Sequence, residues 1–284
     1  MMSTPLAIRW LLTVYFYTVV SISFIISFVL QCIEGACLFP FLLIKPKLRV
    51  VILGQTHQGL MELAYIACRP FWKKQVLRPL PSGISSRKVI VMANHTSKVD
   101  PWVLGSTLLG IPTMYVVKHS LLSVPIAGWA QYLAGCLSVQ FTRERGGWGT
   151  QPGAVQNMMQ EALHALSDGI CVVVFPEGTR SVTGRLQPFR NGFFRLAVDN
   201  PDIYILPVAL HNNFRLWPVT SKLLYPGTSY VAAGELISPK GLTVEQLRDK
   251  THEAIFDLLK LSPEFDALQE QPLTELAVSR EHGL

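Results

Sequence analysis

The feature that most constrains this chain is a stretch without charged side chains that runs from Trp10 to Ile33. As a helix, its 24 residues would be about 36 Å long, which is enough to cross a hydrocarbon core of about 30 Å. A cleaved signal peptide is the alternative, but its apolar core usually has only about 7–15 residues. Since no clear cleavage site ends this stretch, we expect a retained membrane anchor.

Composition also favours a membrane partner. Hydrophobic residues make up 49% of the chain and charged residues only 15%, below the share in ordinary soluble domains. The net charge of +6 favours an anionic partner such as lipid or nucleic acid. A nucleic-acid binder would group basic residues with aromatic ones on one face, whereas here they are dispersed. We therefore expect a phospholipid bilayer and no nucleic acid as partner.

The cysteines exclude two further classes of protein. They are five in number and scattered, so they suggest neither a disulfide framework nor the ligand spacing of a zinc site. We expect reduced thiols and no metal. The residues concerned are Cys32, Cys37, Cys68, Cys136 and Cys171.

The residues after the stretch predict how the anchor ends. Gly35–Ile44 is apolar but too short to span a bilayer, and Pro40 would kink it, so we expect a re-entrant or interfacial segment. A basic cluster from Lys45 to Arg49 follows, against Arg9 alone on the other flank. Because basic residues favour the cytosolic side, we expect the rest of the chain there, at the endoplasmic reticulum membrane in a eukaryote or the inner membrane in a bacterium.

Beyond the anchor, the hydrophobic pattern predicts an α/β domain with a central mixed sheet flanked by helices, because short β-branched runs alternate with longer amphipathic ones. We divide the chain into an anchor (1–49), an amphipathic helix and linker (50–83), a catalytic domain (84–262) and a polar tail (263–284). The predicted strands are Val89–Ala93, Met114–Val117, Leu137–Phe141, Ile170–Phe175, Ile203–Leu210 and Tyr230–Ala233, and the predicted helices are Trp102–Leu109, Ala154–Ser167, Gly192–Val198 and Val244–Leu261.

A histidine and a carboxylate stand where the first predicted strand ends. His95 falls in the turn after Ala93, and Asp100 followed by Pro101 is typical of a helix start, with Asp100 as the N-cap. A turn can bring the imidazole to the carboxylate, which would then orient it as a general base. A plain capping role for Asp100 is the alternative, and the spacing alone does not decide.

A second loop follows the strand predicted near Val174. It reads Phe-Pro-Glu-Gly-Thr-Arg-Ser from Phe175 to Ser181. Such a loop can present backbone N–H groups and the guanidinium of Arg180 to a phosphate. An ordinary turn at a sheet edge is the alternative.

Together these motifs resemble the lysophosphatidate (1-acylglycerol-3-phosphate) acyltransferase family over about half of the chain, from Lys88 to Leu236. The second family motif departs from its usual form, since Phe141 stands two residues before Arg143 rather than three, and Arg145 is a reserve for Arg143. The matching motifs are Asn94-His95-x4-Asp100, the Lys118 segment that ends at Trp129, Phe175–Ser181, and Leu206-Pro207-Val208.

The resemblance implies acyl transfer from acyl-CoA or acyl carrier protein to the sn-2 hydroxyl of lysophosphatidate, giving phosphatidate, with no cofactor besides this co-substrate. It implies that His95 is the general base and that Asp100 orients it. It further implies a substrate-binding set formed by Lys118, Arg143, Glu177, Gly178, Thr179 and Arg180.

Two alternatives stay open and a third is disfavoured. The acceptor could be glycerol 3-phosphate or another lysophospholipid, although the Thr179-Arg180-Ser181 ending favours a small anionic one. A non-catalytic lipid-binding paralogue would keep the fold without the activity. A serine hydrolase is disfavoured because no Gly-x-Ser-x-Gly elbow occurs. Acyl-chain preference and oligomeric state do not follow from the sequence.

Overall fold

The chain forms two long helices followed by a sheet with helices on both faces. The computed structural model describes residues 4–44, 46–139, 141–144, 147–150 and 153–265. In chain order the elements are α1 (Leu6–Ile44), α2 (Pro46–Ala67), β1 (Trp72–Arg78), a 3-10 turn (Ile84–Ser86), β2 (Lys88–Ala93), α3 (Asp100–Thr107), β3 (Thr113–Lys118), α4 (His119–Leu122), α5 (Ala127–Leu133), β4 (Leu137–Val139), β5 (Phe141–Glu144), β6 (Gly147–Thr150), α6 (Ala154–Ser167), β7 (Cys171–Val174), α7 (Gly192–Asp199), β8 (Ile203–His211), α8 (Asn213–Leu216), β9 (Gly227–Ala233) and α9 (Val244–Leu259).

Seven strands form the central sheet in the order β1-β9-β8-β2-β7-β3-β4. β8 and β9 pair antiparallel, and the other neighbours pair parallel. The sheet is therefore mixed, and the predicted fold class is confirmed. β5 and β6 form a separate antiparallel ribbon.

Strand β2 shows why the sequences of the central strands are continuous apolar runs. Ile90 and Met92 belong to the core on one face, whereas Val89 and Val91 belong to the core on the other. All four side chains are buried. Because helices cover both faces, neither set of alternating positions has to be polar.

Three strands were not predicted: β1, β6 and β5, of which the predicted strand Leu137–Phe141 contains only the first residue. β1 falls where we expected the end of an amphipathic helix and a linker, so the sheet begins within the segment 50–83. Its sequence, Trp-Lys-Lys-Gln-Val-Leu-Arg, is largely polar, because an edge strand that pairs only with β9 buries few side chains. β6, with the sequence Gly-Trp-Gly-Thr, has no apolar alternation either. The described residues end at Phe265, so most of the predicted tail lies outside them.

Helices α1 and α2 form an antiparallel hairpin. The Tyr15 hydroxyl donates to the Ala67 carbonyl over 3.1 Å, and the Gln31 amide donates to the Leu53 carbonyl over 3.0 Å. The separate segment that we expected after Ile33 is instead a continuation of α1, which includes Pro40. A proline removes one helical hydrogen bond and can kink a helix without ending it, so its presence did not define a boundary.

One face of α1 packs on the sheet and its neighbouring helices through an aromatic cluster. The ring centroid of Phe16 lies 5.0 Å from that of Trp72, 5.3 Å from that of Trp217 and 5.8 Å from that of Trp102. Phe16 itself is buried. The helix is therefore fastened to the sheet and to α3 rather than tethered by a linker.

The other face of α1 is apolar and exposed. Leu11 is 70% exposed, Val14 58% and Trp10 54%. Among the described residues, Leu6–Phe41 is the helical segment long and apolar enough to cross a membrane, with a mean hydropathy of 2.1. An apolar face of this size without a protein partner indicates membrane association.

We predict that Phe16→Ala lowers the free energy of unfolding by about 3–5 kcal/mol, because it leaves a cavity among three tryptophans. Chemical unfolding in detergent micelles, followed by tryptophan fluorescence, measures the change. Leu11→Ala is the matched control on the exposed face and should change stability by less than about 0.5 kcal/mol. Equal effects of the two substitutions would show that α1 does not dock as described.

Candidate active site

The predicted site residues meet at one edge of the sheet. Strand β2 pairs parallel with both β7 and β8, so the carboxyl ends of these three strands are neighbours. The loop with His95 follows β2, the loop from Phe175 to Ser181 follows β7, and Asn212 and Asn213 follow β8. Sites in α/β sheets commonly form at this edge, because loops from neighbouring strands converge there.

Asn94 fixes the start of the His95 loop. Its side-chain amide donates to the Leu210 carbonyl over 2.8 Å, and its carbonyl accepts the Leu210 N–H over 2.7 Å. Asn94 is buried, so these two bonds satisfy groups that water cannot reach. The pair of bonds ties the end of β2 to β8 immediately before His95.

His95 and Asp100 are in direct contact. His95 Nδ1 lies 2.8 Å from Asp100 Oδ2. The His95 side chain is 17% exposed, whereas that of Asp100 is fully buried. A carboxylate oxygen can only accept, so Nδ1 carries the proton and Nε2 is left as the basic nitrogen.

The predicted N-cap role of Asp100 is wrong. Asp100 is the first residue of α3, and the N-cap is Val99, which makes no side-chain cap bond. Asp100 Oδ2 instead accepts the backbone N–H groups of Thr96 and Ser97, at 2.6 and 2.7 Å. The carboxylate points back into the turn that precedes it, and this brings it to His95.

Asn213 completes the environment of the carboxylate. Its side-chain amide donates to Asp100 Oδ1 over 2.8 Å, and Asn213 is fully buried. Asp100 thus accepts four N–H bonds, from His95, Thr96, Ser97 and Asn213. The sequence analysis missed Asn213, although a polar pair directly after a buried strand was the available signal.

The loop after β7 makes three contacts with His95. Glu177 Oε1 accepts the His95 backbone N–H over 2.7 Å, and the His95 carbonyl accepts the Ser181 N–H over 2.8 Å. The Phe175 ring stacks on the imidazole, with centroids 4.0 Å apart. Glu177 therefore contacts the histidine backbone and lies beneath the surface.

Burial decides the protonation of Glu177. Desolvation raises the pKa of its carboxyl from 4.5 to about 8, against the hydrogen bonds from His95 and Gln187, which favour the charged form. The negative charge of Asp100 adds to the upward shift. Glu177 is therefore largely protonated at neutral pH, which limits repulsion between two carboxyl groups that flank one histidine.

The rest of this loop forms a tight turn. Gly178 has φ +74°, and a Cβ atom there would come within 2.8 Å of Arg190 Cδ, so glycine fits both the backbone and the space. The Gln187 amide closes the turn by donating to Glu177 Oε2 over 2.7 Å and to the Thr179 carbonyl over 3.0 Å. Arg180 is exposed at the surface next to Ser181.

The two remaining predicted residues lie on other strands. Lys118 ends β3, next to β7 in the sheet, and is exposed at the same edge. Arg143 lies in β5, where its backbone pairs with that of Trp148. The Arg143 side chain and Arg145 lie outside the described part of the structure. Within that part, no group of three or more His, Cys, Asp or Glu side chains could hold a metal ion.

We predict that Glu177→Gln changes how stability depends on pH. The folded chain keeps the Glu177 proton up to about pH 8, whereas the unfolded chain loses it near 4.5, so wild-type stability should fall across this interval. The limiting slope is about 1.4 kcal/mol per pH unit, and Glu177→Gln should remove it.

Chemical unfolding at several pH values between 5 and 9 tests this prediction. Glu161→Gln, at an exposed position on α6, is the matched control and should follow the wild-type profile. A Glu177→Gln profile parallel to the wild type would mean that the folded protein holds Glu177 ionised.

Comparison with known proteins finds similar sequences. The chain is 28% identical over 222 residues to the chloroplastic 1-acyl-sn-glycerol-3-phosphate acyltransferase BAT2 of Brassica napus, covering 76% of this chain and 60% of that protein. It is 29% identical over 159 residues to the 1-acyl-sn-glycerol-3-phosphate acyltransferase of Pseudomonas aeruginosa, covering 56% of this chain and 58% of that protein. The chain thus spans less than two thirds of these relatives.

Structural comparison shows the same fold in a bacterial protein. The crystal structure of the 1-acyl-sn-glycerophosphate acyltransferase from Thermotoga maritima matches with a TM-score of 0.66 and 23% identity, over 91% of this chain and 98% of that one. Residues 73–211 match the family model described as Acyltransferase. Residues 73–211 are therefore an acyltransferase-family domain, as the motifs predicted.

Proposed function

We propose that this protein transfers a fatty acyl group from acyl-CoA or acyl carrier protein to the sn-2 hydroxyl of lysophosphatidate, giving phosphatidate. The observation that carries the proposal is the 2.8 Å contact between His95 Nδ1 and Asp100 Oδ2 at the carboxyl edge of the sheet. The names of the matched relatives support lysophosphatidate as the acceptor.

The geometry supports direct transfer with His95 as the base. Nε2 takes the proton of the acceptor hydroxyl while the hydroxyl oxygen attacks the thioester carbonyl carbon. Asp100 stabilises the imidazolium that forms. The tetrahedral intermediate then collapses, the carbon–sulfur bond breaks, and the imidazolium returns its proton to the departing thiolate. Each atom and proton is accounted for without an acyl-enzyme.

The remaining residues have two proposed roles: some hold His95 in place, and others bind the acceptor phosphate. Glu177 binds the His95 backbone, so it acts as a positioning residue, and Gly178 and Thr179 form the turn that holds it. The exposed cation of Arg180, on the residue before Ser181, is suited to the acceptor phosphate. Lys118 and Arg143 are further candidates for phosphate binding, on strands β3 and β5.

The proposed membrane arrangement follows from the contacts of α1. Arg9 donates to the Leu224 carbonyl over 3.4 Å, and Gln31 donates to the Ala130 carbonyl over 3.1 Å, so α1 touches the domain along about 33 Å. A helix that crossed the bilayer would draw this polar domain into the hydrocarbon. We therefore favour an interfacial position in which the exposed face of α1 enters one leaflet and the domain lies on the cytosolic side.

We predict that His95→Ala lowers kcat by at least about 10²-fold, because it removes the base while the fold remains. The assay crosses lysophosphatidate, glycerol 3-phosphate and lysophosphatidylcholine with acyl-CoA and acyl carrier protein donors. His164→Ala, exposed on α6, is the matched control and should retain wild-type activity.

Each outcome of this assay is informative. Preference for another acceptor would retain the acyltransfer proposal but change its substrate. Unchanged activity in His95→Ala would overturn the assigned base. Absence of transfer from either donor to any of the acceptors would favour a lipid-binding paralogue.

We predict that Asn213→Ala lowers kcat by about tenfold with little change in KM, because Asp100 loses one of its four N–H partners and orients His95 less well. Steady-state kinetics with the preferred acceptor measures both constants. Asn157→Ala, exposed on α6, is the control for the loss of an asparagine side chain. An increase in KM at constant kcat would assign Asn213 to substrate binding instead.

A further inference from the structure

An open groove of about 670 Å³ runs between α1 and the loop from Trp217 to Leu224, beside the active site. Its volume is within the range of sites that bind small molecules. The accessible surface of its lining is mainly apolar. The α1 residues that line it recur every three or four positions, so they form one stripe along the helix. The lining residues on α1 are Trp10, Thr13, Val14, Tyr17, Thr18, Ser21 and Ile22.

The α1 wall of the groove is held firmly in place. Thr13 Oγ1 accepts the Leu224 N–H over 3.0 Å, and the Arg9 guanidinium lies 3.6 Å from the centre of the Tyr225 ring. The Tyr17 ring packs edge-on against Trp217, with centroids 5.9 Å apart. The groove is therefore a preformed feature of the fold.

Two lysines line the opposite wall. Lys98 and Lys222 both border the groove. Lys98 Nζ lies 4.8 Å from the centre of the Trp217 ring and donates to the Ser221 carbonyl over 3.3 Å. Partial burial lowers the pKa of Lys98, and the positive charge of Arg180 lowers it further. Cations grouped in this way favour a bound anion.

The groove reaches the catalytic loop itself. Lys98 stands between His95 and Asp100 in the sequence. Its neighbour Ser97 connects the carboxylate to the loop at Trp217. The Ser97 N–H donates to Asp100 Oδ2, and the Ser97 hydroxyl donates to the Trp217 carbonyl over 2.8 Å. A ligand that ended at Lys98 would therefore lie beside the His95–Asp100 pair.

We propose that this groove holds the acyl chain of the lysophospholipid acceptor and that Lys98 and Lys222, together with Arg180, bind its phosphate. The inference rests on the proposed function. A lysophospholipid combines one apolar chain with an anionic phosphate, which matches the apolar stripe on α1 and the two lysines. Its source is the membrane, onto which the exposed face of α1 opens.

The first experiment locates the chain directly. Lysophosphatidate with a diazirine at the end of its acyl chain is photolysed with the full-length wild type in phosphatidylcholine nanodiscs, without an acyl donor. Crosslinks should map to residues 10–22 and disappear with excess unlabelled lysophosphatidate. Ser21→Trp, which fills the groove, should reduce crosslinking about tenfold. Ile26→Trp, at an exposed position of α1 outside the groove lining, should not.

The second experiment tests the phosphate site. Lys98→Gln should raise KM for lysophosphatidate about tenfold, because a charge-assisted contact is lost, with KM for the acyl donor unchanged. Lys98→Arg should restore most of the affinity. Lys240→Gln, at an exposed position away from the groove lining, should behave as wild type.

The outcomes separate this inference from the proposed function. Transfer to lysophosphatidate with crosslinks elsewhere would overturn the groove assignment alone. Specific crosslinks in the groove without transfer would overturn the function and leave the binding site. Labelling of residues 10–22 by a photoactivatable acyl donor, or an effect of Lys98→Gln on the donor KM alone, would assign the groove to the donor and overturn the proposal.

Discussion

The buried carboxylate of Asp100 is the group on which the rest of the site depends. Burying a charge is costly unless hydrogen bonds compensate for the lost water. Here four N–H groups do so, and they come from the turn before α3, from the imidazole of His95 and from Asn213 after β8. Satisfying this one carboxylate therefore joins the ends of β2 and β8 and fixes the orientation of His95.

The same constraint extends outward to helix α1. Ser97 binds Asp100 through its N–H group and the Trp217 carbonyl through its hydroxyl. Trp217 in turn packs against Phe16 of α1. The exposed apolar face of α1 and the His95–Asp100 pair are thus linked by packed and hydrogen-bonded groups, so the fold fixes the position of the pair relative to this face.

Much of the fold could be predicted because its strands are buried on both faces. β2, β7 and β8 are nearly continuous apolar runs, so their sequences define them. β1 was not predicted because an edge strand buries few side chains, so its sequence is largely polar. The segment expected to be separate after Ile33 is part of α1 as well, because Pro40 weakens the helix only locally whereas packing along its length can carry the helix through.

The sequence by itself determined the α/β class, the apolar helix and the chemical groups of the site, because these follow from local pattern and residue type. Only the tertiary structure decided how the groups act. Asp100 faces back toward His95 instead of capping its helix, and Glu177 is buried against the His95 backbone. Asn213, 113 residues from Asp100 in the chain, completes the carboxylate's partners. Hydrogen bonds between distant segments depend on the folding of the whole sheet, so a local sequence pattern does not predict them.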